Sequence, residues 1–387
     1  MTQFSFPFGL IGDDLLLKKN IQFKVDAQGR ILDLIYEDCG EVESEFLKKN
    51  PVHIILPGLI NSHVHIGDSF AKEMGYDKNL IDVVAPPNGV KHKLLAHTPS
   101  NIKKVGIQKA AQEMISNGIT FFSDFRERGL EGINLIKEGL ASTPIKSQIL
   151  GRFREKSEIE SIFQNADGIG LSSYKNITSQ LKDILKTFKK KYNKLIACHH
   201  AEYKRDSLLF NNILNDNIID VIIHGTQLND EDLLKLKGSG ISLILCPRCN
   251  GYFGVGFPPI ESIIRNNILI TIGTDNMMVN SPDLFEEMRY LYLIFKVLNK
   301  SQDLSLTAKS LLEMITVNAA RILNIENMIG SIKEGKQADF FTINLNSNNY
   351  YCHQINYHNI YPLIVQRTKP ENIRQVYING EKIFERK

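Results

Sequence analysis

His63-Val64-His65 places two imidazoles at positions i and i+2, directly after the apolar run Ile54 to Ile60, which Pro57-Gly58 interrupts. In a strand that spacing aims both rings at one face, so at a strand exit they can hold one metal ion side by side. Further groups of matching chemistry lie down the chain: His199 with Glu202, then His224 and Asp275, with Arg126 and Arg152 between. Three histidines and an aspartate with room for water describe a mononuclear catalytic site for zinc or a similar divalent ion. Such an ion lowers the pKa of bound water to roughly 7, making hydroxide near neutrality. Asp275 can take the water's proton, and Glu202 can carry it to the leaving group as general acid. His224 can polarise or orient the attacked carbon–nitrogen group or the water.

Residues so far apart act together only if a fold collects them. The segment after the His-x-His run alternates apolar strands with amphipathic helices. A helix is predicted from Asn101 to Ser116, stopped by Asn117-Gly118. Strand Ile119 to Ser123, helix Leu130 to Gly139 and strand Ile145 to Leu150 follow, then a short strand near Gly168 to Ser172 and helix Ser179 to Tyr192. The pattern continues through strands at Leu195 to Cys198, Val221 to Ile223, Ile241 to Leu245 and Leu269 to Ile272, and closes with helix Leu284 to Leu298. Eight strands alternating with helices predict a (β/α)8 TIM barrel, whose active site lies at the C-terminal strand ends. The chemical residues fall at those ends. The stretch from about 66 to 98, rich in Pro, Gly and His, is expected to be loop, and residues 82–97 are long enough to form a lid.

Both termini read as β. Ile21 to Val25 and Ile31 to Tyr36 form a hairpin pattern, with Val52 to Leu56 as a further strand. Ala338 to Ile343, Arg374 to Ile378 and Lys382 to Phe384 mirror it, the last two joined by the turn Asn379-Gly380. The expected organisation is a small β-sandwich built from residues 1–57 and 331–387 around a barrel of residues 58–330.

Composition agrees with an enzyme of small molecules. A chain of 387 residues, 43% hydrophobic and 23% charged, suits a large barrel with an accessory domain. Its net charge of +3 carries no nucleic-acid signature, and its longest apolar runs are far short of a membrane span. Met1 to Pro7 shows no signal-peptide pattern, and five cysteines make no disulfide framework, so a cytoplasmic home is expected.

The motifs, taken in order, resemble the amidohydrolase superfamily, in the branch of cytosine deaminase and the chlorohydrolase-like aminohydrolases. They are Leu56 to His65, His199-His200-Ala201-Glu202, Ile223-His224-Gly225, Cys246 to Asn250 with Gly254 to Pro259, Gly273 to Asn276, Val317 to Arg321 and Gly330 to Asp339. The resemblance implies hydrolytic deamination of an aminated heterocycle (nucleobase, nucleoside or pterin type) at one Zn2+, with Fe2+ as the alternative. It implies His63, His65, His199 and Asp275 as ligands, and Glu202, His224 and Asp275 as catalytic residues. The bridging lysine of binuclear relatives has no counterpart: Lys175 lies beyond Ser173-Tyr174, in expected loop. The histidine that many relatives with nucleoside-type substrates carry near Ser172 is absent too.

A second signature competes. His200-Ala201-Glu202 with Cys246-Pro247-Arg248-Cys249 imitates the His-x-Glu, Pro-Cys-x-x-Cys pattern of the short zinc deaminases. There the proline precedes the first cysteine, whereas Pro247 follows Cys246, and that pattern leaves His63, His65, His224 and Asp275 unexplained. Cys246 and Cys249 are then expected to be pocket-wall or packing residues.

For the substrate, Arg126, Arg128, Arg152 and Arg248 offer guanidinium forks to an anionic or carbonyl-rich group. Salt bridges to Asp124, Glu127 or Glu155 are the alternative. Asp68 can contact an amino group or cap local backbone, and Asn250 belongs to the motif set. Without Trp, ring stacking falls to Phe70, Tyr174, Tyr252 or Phe253. The expected partner is a small heterocycle rather than a nucleic acid or membrane, and a homodimer or higher homo-oligomer remains open. Hydrolysis of a cyclic amide or ring C–N bond, as in imidazolone-type relatives, uses the same residues. A non-catalytic metal- or ligand-binding homologue does not need Glu202.

Overall fold

Short apolar runs separated by amphipathic helices close into a barrel in the computed structural model, which describes residues 1–39, 52–299, 305–352 and 355–386. The chain opens with β1 (Thr2–Ile11), β2 (Leu16–Val25), β3 (Ile31–Asp38) and β4 (His53–Pro57). The barrel strands are β5 (Leu59–His65), β6 (Ile119–Arg126), β7 (Lys146–Gly151), β8 (Gly168–Leu171), β9 (Leu195–His200), β10 (Val221–His224), β11 (Ser242–Leu245), β12 (Ile270–Ile272) and β13 (Asp275–Asn276). The last three are β14 (Phe340–Asn344), β15 (Ile373–Ile378) and β16 (Glu381–Glu385).

Strands β5 to β12 pair in sequence order, all parallel, and β13 pairs with β5 at the other side. β12 and β13 are one passage of chain broken only at Gly273 and Thr274. Consecutive Cα atoms are about 3.8 Å apart, so the two edges meet and the sheet is closed. The expected (β/α)8 barrel is the observed fold. Its strands are buried on both faces, as parallel sheets wrapped by helices are; β5 and β6 are buried at every residue.

The closing seam is tied by reciprocal bonds. Asn61 donates its side-chain amide to Thr274 Oγ1 at 2.7 Å and accepts the Thr274 N–H at 3.0 Å. Gly273 lets the passage run against β5, since a Cβ there would lie 2.6 Å from His63 Cβ.

The terminal strands form one seven-stranded sheet, ordered β16-β15-β14-β4-β1-β2-β3. β1 lies outside the predicted strands. Its Phe4, Phe6 and Phe8 alternate, and Pro7 has no place in its ladder with β2. β4 hands the chain directly to β5, so the terminal sheet and the barrel share one continuous stretch around Gly58.

Lys146 stitches the two parts, donating to both Asp339 carboxylate oxygens at 2.7 Å. Asp339 is buried, and burial raises its carboxyl pKa while Lys146 opposes the rise. Lys146→Met strands that carboxylate, and breaking a buried pair costs about 3–5 kcal/mol. Urea unfolding of the variant is expected to show that loss.

The stretch predicted as loop carries structure of its own. A 3-10 turn covers Ile66–Ala71, and two short helices follow, α1 (Leu80–Val84) and α2 (Val90–His97), before α3 (Ser100–Ser116). Asn79 caps α1 by accepting the Asp82 N–H at 2.9 Å. The two helices pack over the mouth of the barrel, with Val83 buried among Phe125, Ala197 and Met278 and their neighbours.

Candidate metal centre and active site

Strand register alone does not bring the chemical side chains together. His63 and His65 alternate with Val64, so they share the barrel's inner face. β13 pairs Asp275 with Val64, and β10 pairs His224 with His200. Regular strand backbone would therefore send Asp275 and His224 to the opposite face from His63 and His199. Both residues instead adopt left-handed backbone, φ +59° at Asp275 and +71° at His224, and Ala201 before Glu202 does the same at +53°. Non-glycine residues rarely take that region, and such conformations cluster at functional sites. The three exceptions turn Asp275, His224 and Glu202 into the cavity.

The result is a compact donor set. Ligand atoms of His63, His65, His199 and Asp275 all lie within 4.8 Å of one another. His63 Nε2 is 3.2 Å and His65 Nε2 3.5 Å from Asp275 Oδ1. His65 Nδ1 faces Phe125 O at 3.1 Å, and His199 Nδ1 faces Leu171 O at 3.1 Å. Each carbonyl takes the Nδ1 proton and leaves Nε2 as the lone-pair donor, the usual outer support of a metal-bound histidine. Burial pushes the His63 and His199 imidazoles below their ordinary pKa, and burial with the Lys91 charge takes His65 to about 3. Neutral imidazoles and an ionised Asp275 are the forms a divalent cation requires. Burial opposes the Asp275 charge, but the hydrogen bond from His63 leads the interactions that hold its carboxyl well below the usual range. The residues present fit a divalent metal ion.

Glu202 and His224 stand beside this set. His224 Nε2 is 3.6 Å from Glu202 Oε1 and 4.0 Å from Asp275 Oδ2. Asn250 Oδ1 faces His224 Nδ1 at 3.2 Å, and Asn250 donates to Thr226 Oγ1. It orients the imidazole from behind. Burial raises the Glu202 carboxyl pKa; His224 opposes the rise and Asp275 adds to it.

These groups open into a cavity of about 240 Å³ whose apolar wall is Leu80, Ile81, Val84, Ala85 and Pro86 and whose polar wall includes Lys91, His92, Glu127, Arg152 and Ser172. That lies below the roughly 300–1,000 Å³ of sites for drug-sized ligands.

The other candidates separate by partner. Arg126 is buried and held by Glu127, with Asp124 at 3.6 Å, which is the salt-bridge alternative. Arg128 pairs with exposed Glu131. Arg248 reaches Glu286 at 2.8 Å and Ser281, and is not among the cavity residues. Asp68 meets Lys91 at 3.1 Å. Arg152 lines the cavity, and its Nε has no hydrogen-bond partner. Tyr174 is buried with its hydroxyl on Asp216, and the aromatic ring at the cavity is Tyr203.

For the competing signature, His200 stacks on Phe210 at 5.6 Å and lies outside both donor clusters. Cys246 is placed within 4.8 Å of donor atoms of His224 and Asp275. Cys249 is buried against Asp275, and burial raises both thiols well above their ordinary pKa. The sequence reading did not single out Lys91 or the α1 wall. Their only signal was a lysine inside a stretch without amphipathic period.

With this geometry in hand, comparisons with known proteins are specific. The sequence pattern described as the amidohydrolase family matches residues 54–383. A putative aminohydrolase of Methanothermobacter thermautotrophicus is 32% identical over 85% of this chain and 86% of its own length. A 5-methylthioadenosine/S-adenosylhomocysteine deaminase of Thermoanaerobacter pseudethanolicus is 26% identical over 92% and 88%. In fold, the crystal structure of an adenosine deaminase from Xanthomonas campestris with bound zinc superposes with a TM-score of 0.80, covering 98% of this chain and 92% of that one at 16% identity. No helix among the described residues is long and apolar enough to cross a membrane.

Proposed function

This chain belongs to the amidohydrolase family, and from that premise we propose that it is a metal-dependent aminohydrolase that releases ammonia from an aminated heterocycle, an adenine-type nucleoside first among them. The observation that carries the reading is a cluster of four ligand donors, three of which (His65, His199 and Asp275) line one small cavity together with Glu202 and His224. The deaminase relative supports the substrate class.

His63, His65, His199 and Asp275 would hold the ion, Zn2+ before Fe2+, and the ion would supply the Lewis acidity that makes water a nucleophile near neutrality. Asp275 accepts the proton that water gives up. Glu202, whose pKa burial raises, delivers its proton to the ring nitrogen; the proton taken by Asp275 passes to the leaving amine, and the remaining water proton restores Glu202 as the carbonyl forms and ammonia departs. His224, held at Nδ1 by Asn250 Oδ1, turns Nε2 toward Glu202 and Asp275 and orients the attacking water. The wall of α1 excludes water from one face of the ring.

Arg152 presents the substrate-facing cation. Its Nε is buried and unpartnered at the cavity, and an anionic or carbonyl-rich substituent would satisfy it. A hydrogen bond to a charged group contributes about 1.5–3 kcal/mol, so Arg152→Met should raise KM roughly 10- to 100-fold with kcat changed far less.

The decisive experiment loads the protein with zinc and screens nucleosides, nucleobases and pterins for ammonia. Release from an adenine-type nucleoside supports the proposal. Absence of ammonia from every aminated ring, with ring-opened product from a cyclic amide instead, overturns it in favour of ring hydrolysis.

A further inference from the structure

Lys91 is a buried ammonium, 3% exposed, on a helix that covers the barrel mouth rather than on a barrel strand. Taking such a charge out of water costs several kcal/mol unless partners offset it. Two partners do. Nζ lies 2.8 Å from Glu127 Oε1 and 3.1 Å from Asp68 Oδ2.

Each carboxylate leads on to the metal centre. Glu127 Oε1 is 2.9 Å from His65 Nδ1, where it shares with Phe125 O the task of fixing that ring. Asp68 Oδ1 accepts the backbone N–H of Met277 at 3.1 Å, two residues beyond Asp275. Lys91 is thus one bond removed from the support of a candidate ligand on β5 and from the backbone following another at β13. Other ties to α2 do not lead to the metal centre: Lys103 of α3 donates to Leu95 O at 3.0 Å, Val90 and Leu94 make apolar contact, and His92 turns back to Val84 O at 3.0 Å within the same cover.

We infer that Lys91 is a positioning residue that couples the α1–α2 cover to the metal centre, through Glu127 to His65 and through Asp68 to the Asp275 strand. The cover is then a wall locked in place by the loaded site rather than a lid independent of it. Coupling is reciprocal: whatever the seated cover adds to metal affinity, bound metal returns to the seating of the cover. The inference rests on the metal reading of His63, His65, His199 and Asp275, but not on the identity of the substrate.

Outer partners of metal-binding histidines typically affect affinity about 10- to 100-fold. Zinc affinity, measured by competition with a chromophoric chelator, should therefore weaken by that factor in Lys91→Met and largely recover in Lys91→Arg, which keeps the charge. Hydrogen exchange read across residues 80–97 should slow when wild-type protein takes up Zn2+, and this slowing should vanish in Lys91→Met. The wild-type exchange measurement stands even if Lys91→Met fails to fold: no zinc-dependent protection of the cover overturns the coupling. Unchanged zinc affinity in Lys91→Met, with only KM altered, also overturns it and makes Lys91 a substrate contact. A wild-type protein that binds no zinc would overturn the metal reading itself, which distinguishes the two failures.

Discussion

Glu202→Gln is expected to lower kcat by roughly 10²- to 10⁴-fold, the usual contribution of a positioned proton carrier, while bound zinc stays near stoichiometric. The amide keeps the size and hydrogen-bonding reach of the carboxyl but cannot carry a proton. Metal should be unaffected because Glu202 lies outside the four-donor set, with His224 Nε2 3.6 Å away. The pH dependence follows from the sign of the shift. Burial raises the Glu202 pKa, so the protonated acid persists to higher pH than an ordinary glutamate allows, and activity falls as pH rises through the raised value. Glu202→Gln should erase that alkaline limb from its residual rate. Near-normal kcat in a zinc-replete Glu202→Gln protein would remove Glu202 from the proton path.

The barrel was legible because its strands are short apolar runs, several of them closed by a polar residue, and because helix Ser179–Tyr192 and helix Leu284–Leu298 keep clean apolar faces. The candidate site was legible for a narrower reason: chemical residue types recur at predicted strand exits. What the sequence hides is aim. Nothing in the residue types announces left-handed backbone at His224 and Asp275, and a regular register would have turned both away from His63. The cover was hidden by its own chemistry. The buried positions of α2 are Lys91 and Leu95, spaced i and i+4; with a lysine at one of them, the apolar period that marks a helix is missing. A residue that looks solvated in sequence is buried because two carboxylates from elsewhere in the chain meet it. In the same way Arg126, a plausible substrate fork by position, is occupied by Glu127 and Asp124. Ion pairs between distant segments decide both cases, and local pattern carries no information about them.

His199→Ala is expected to abolish stoichiometric zinc binding and reduce turnover to background, whereas Cys246→Ser should retain the metal. The two variants discriminate between donor sets that share the segment His199 to Glu202. In the set favoured by the geometry, His199 offers Nε2 to the cluster because Leu171 O holds its Nδ1, and His200 lies against Phe210 on the other side of the strand. In the competing set, His200 would join Cys246 and Cys249 as ligands. Their thiols are buried, and burial pushes both well above their ordinary pKa, which disfavours the thiolate a zinc site needs. Proximity keeps the test necessary, since Cys246 stands with His224 and Asp275 within 4.8 Å. Removing one of four ligands from a small charged site leaves the ion with a water in its place and weakens binding by orders of magnitude. Replacing a thiol that only packs in the buried apolar cluster changes packing by one atom. Zinc content after dialysis, measured by elemental analysis, should therefore fall toward zero for His199→Ala and stay near one per chain for Cys246→Ser. The reverse pattern would move the metal from the His63, His65, His199 and Asp275 cluster to the His224, Cys246 and Asp275 group, and with it the direction from which water meets the substrate.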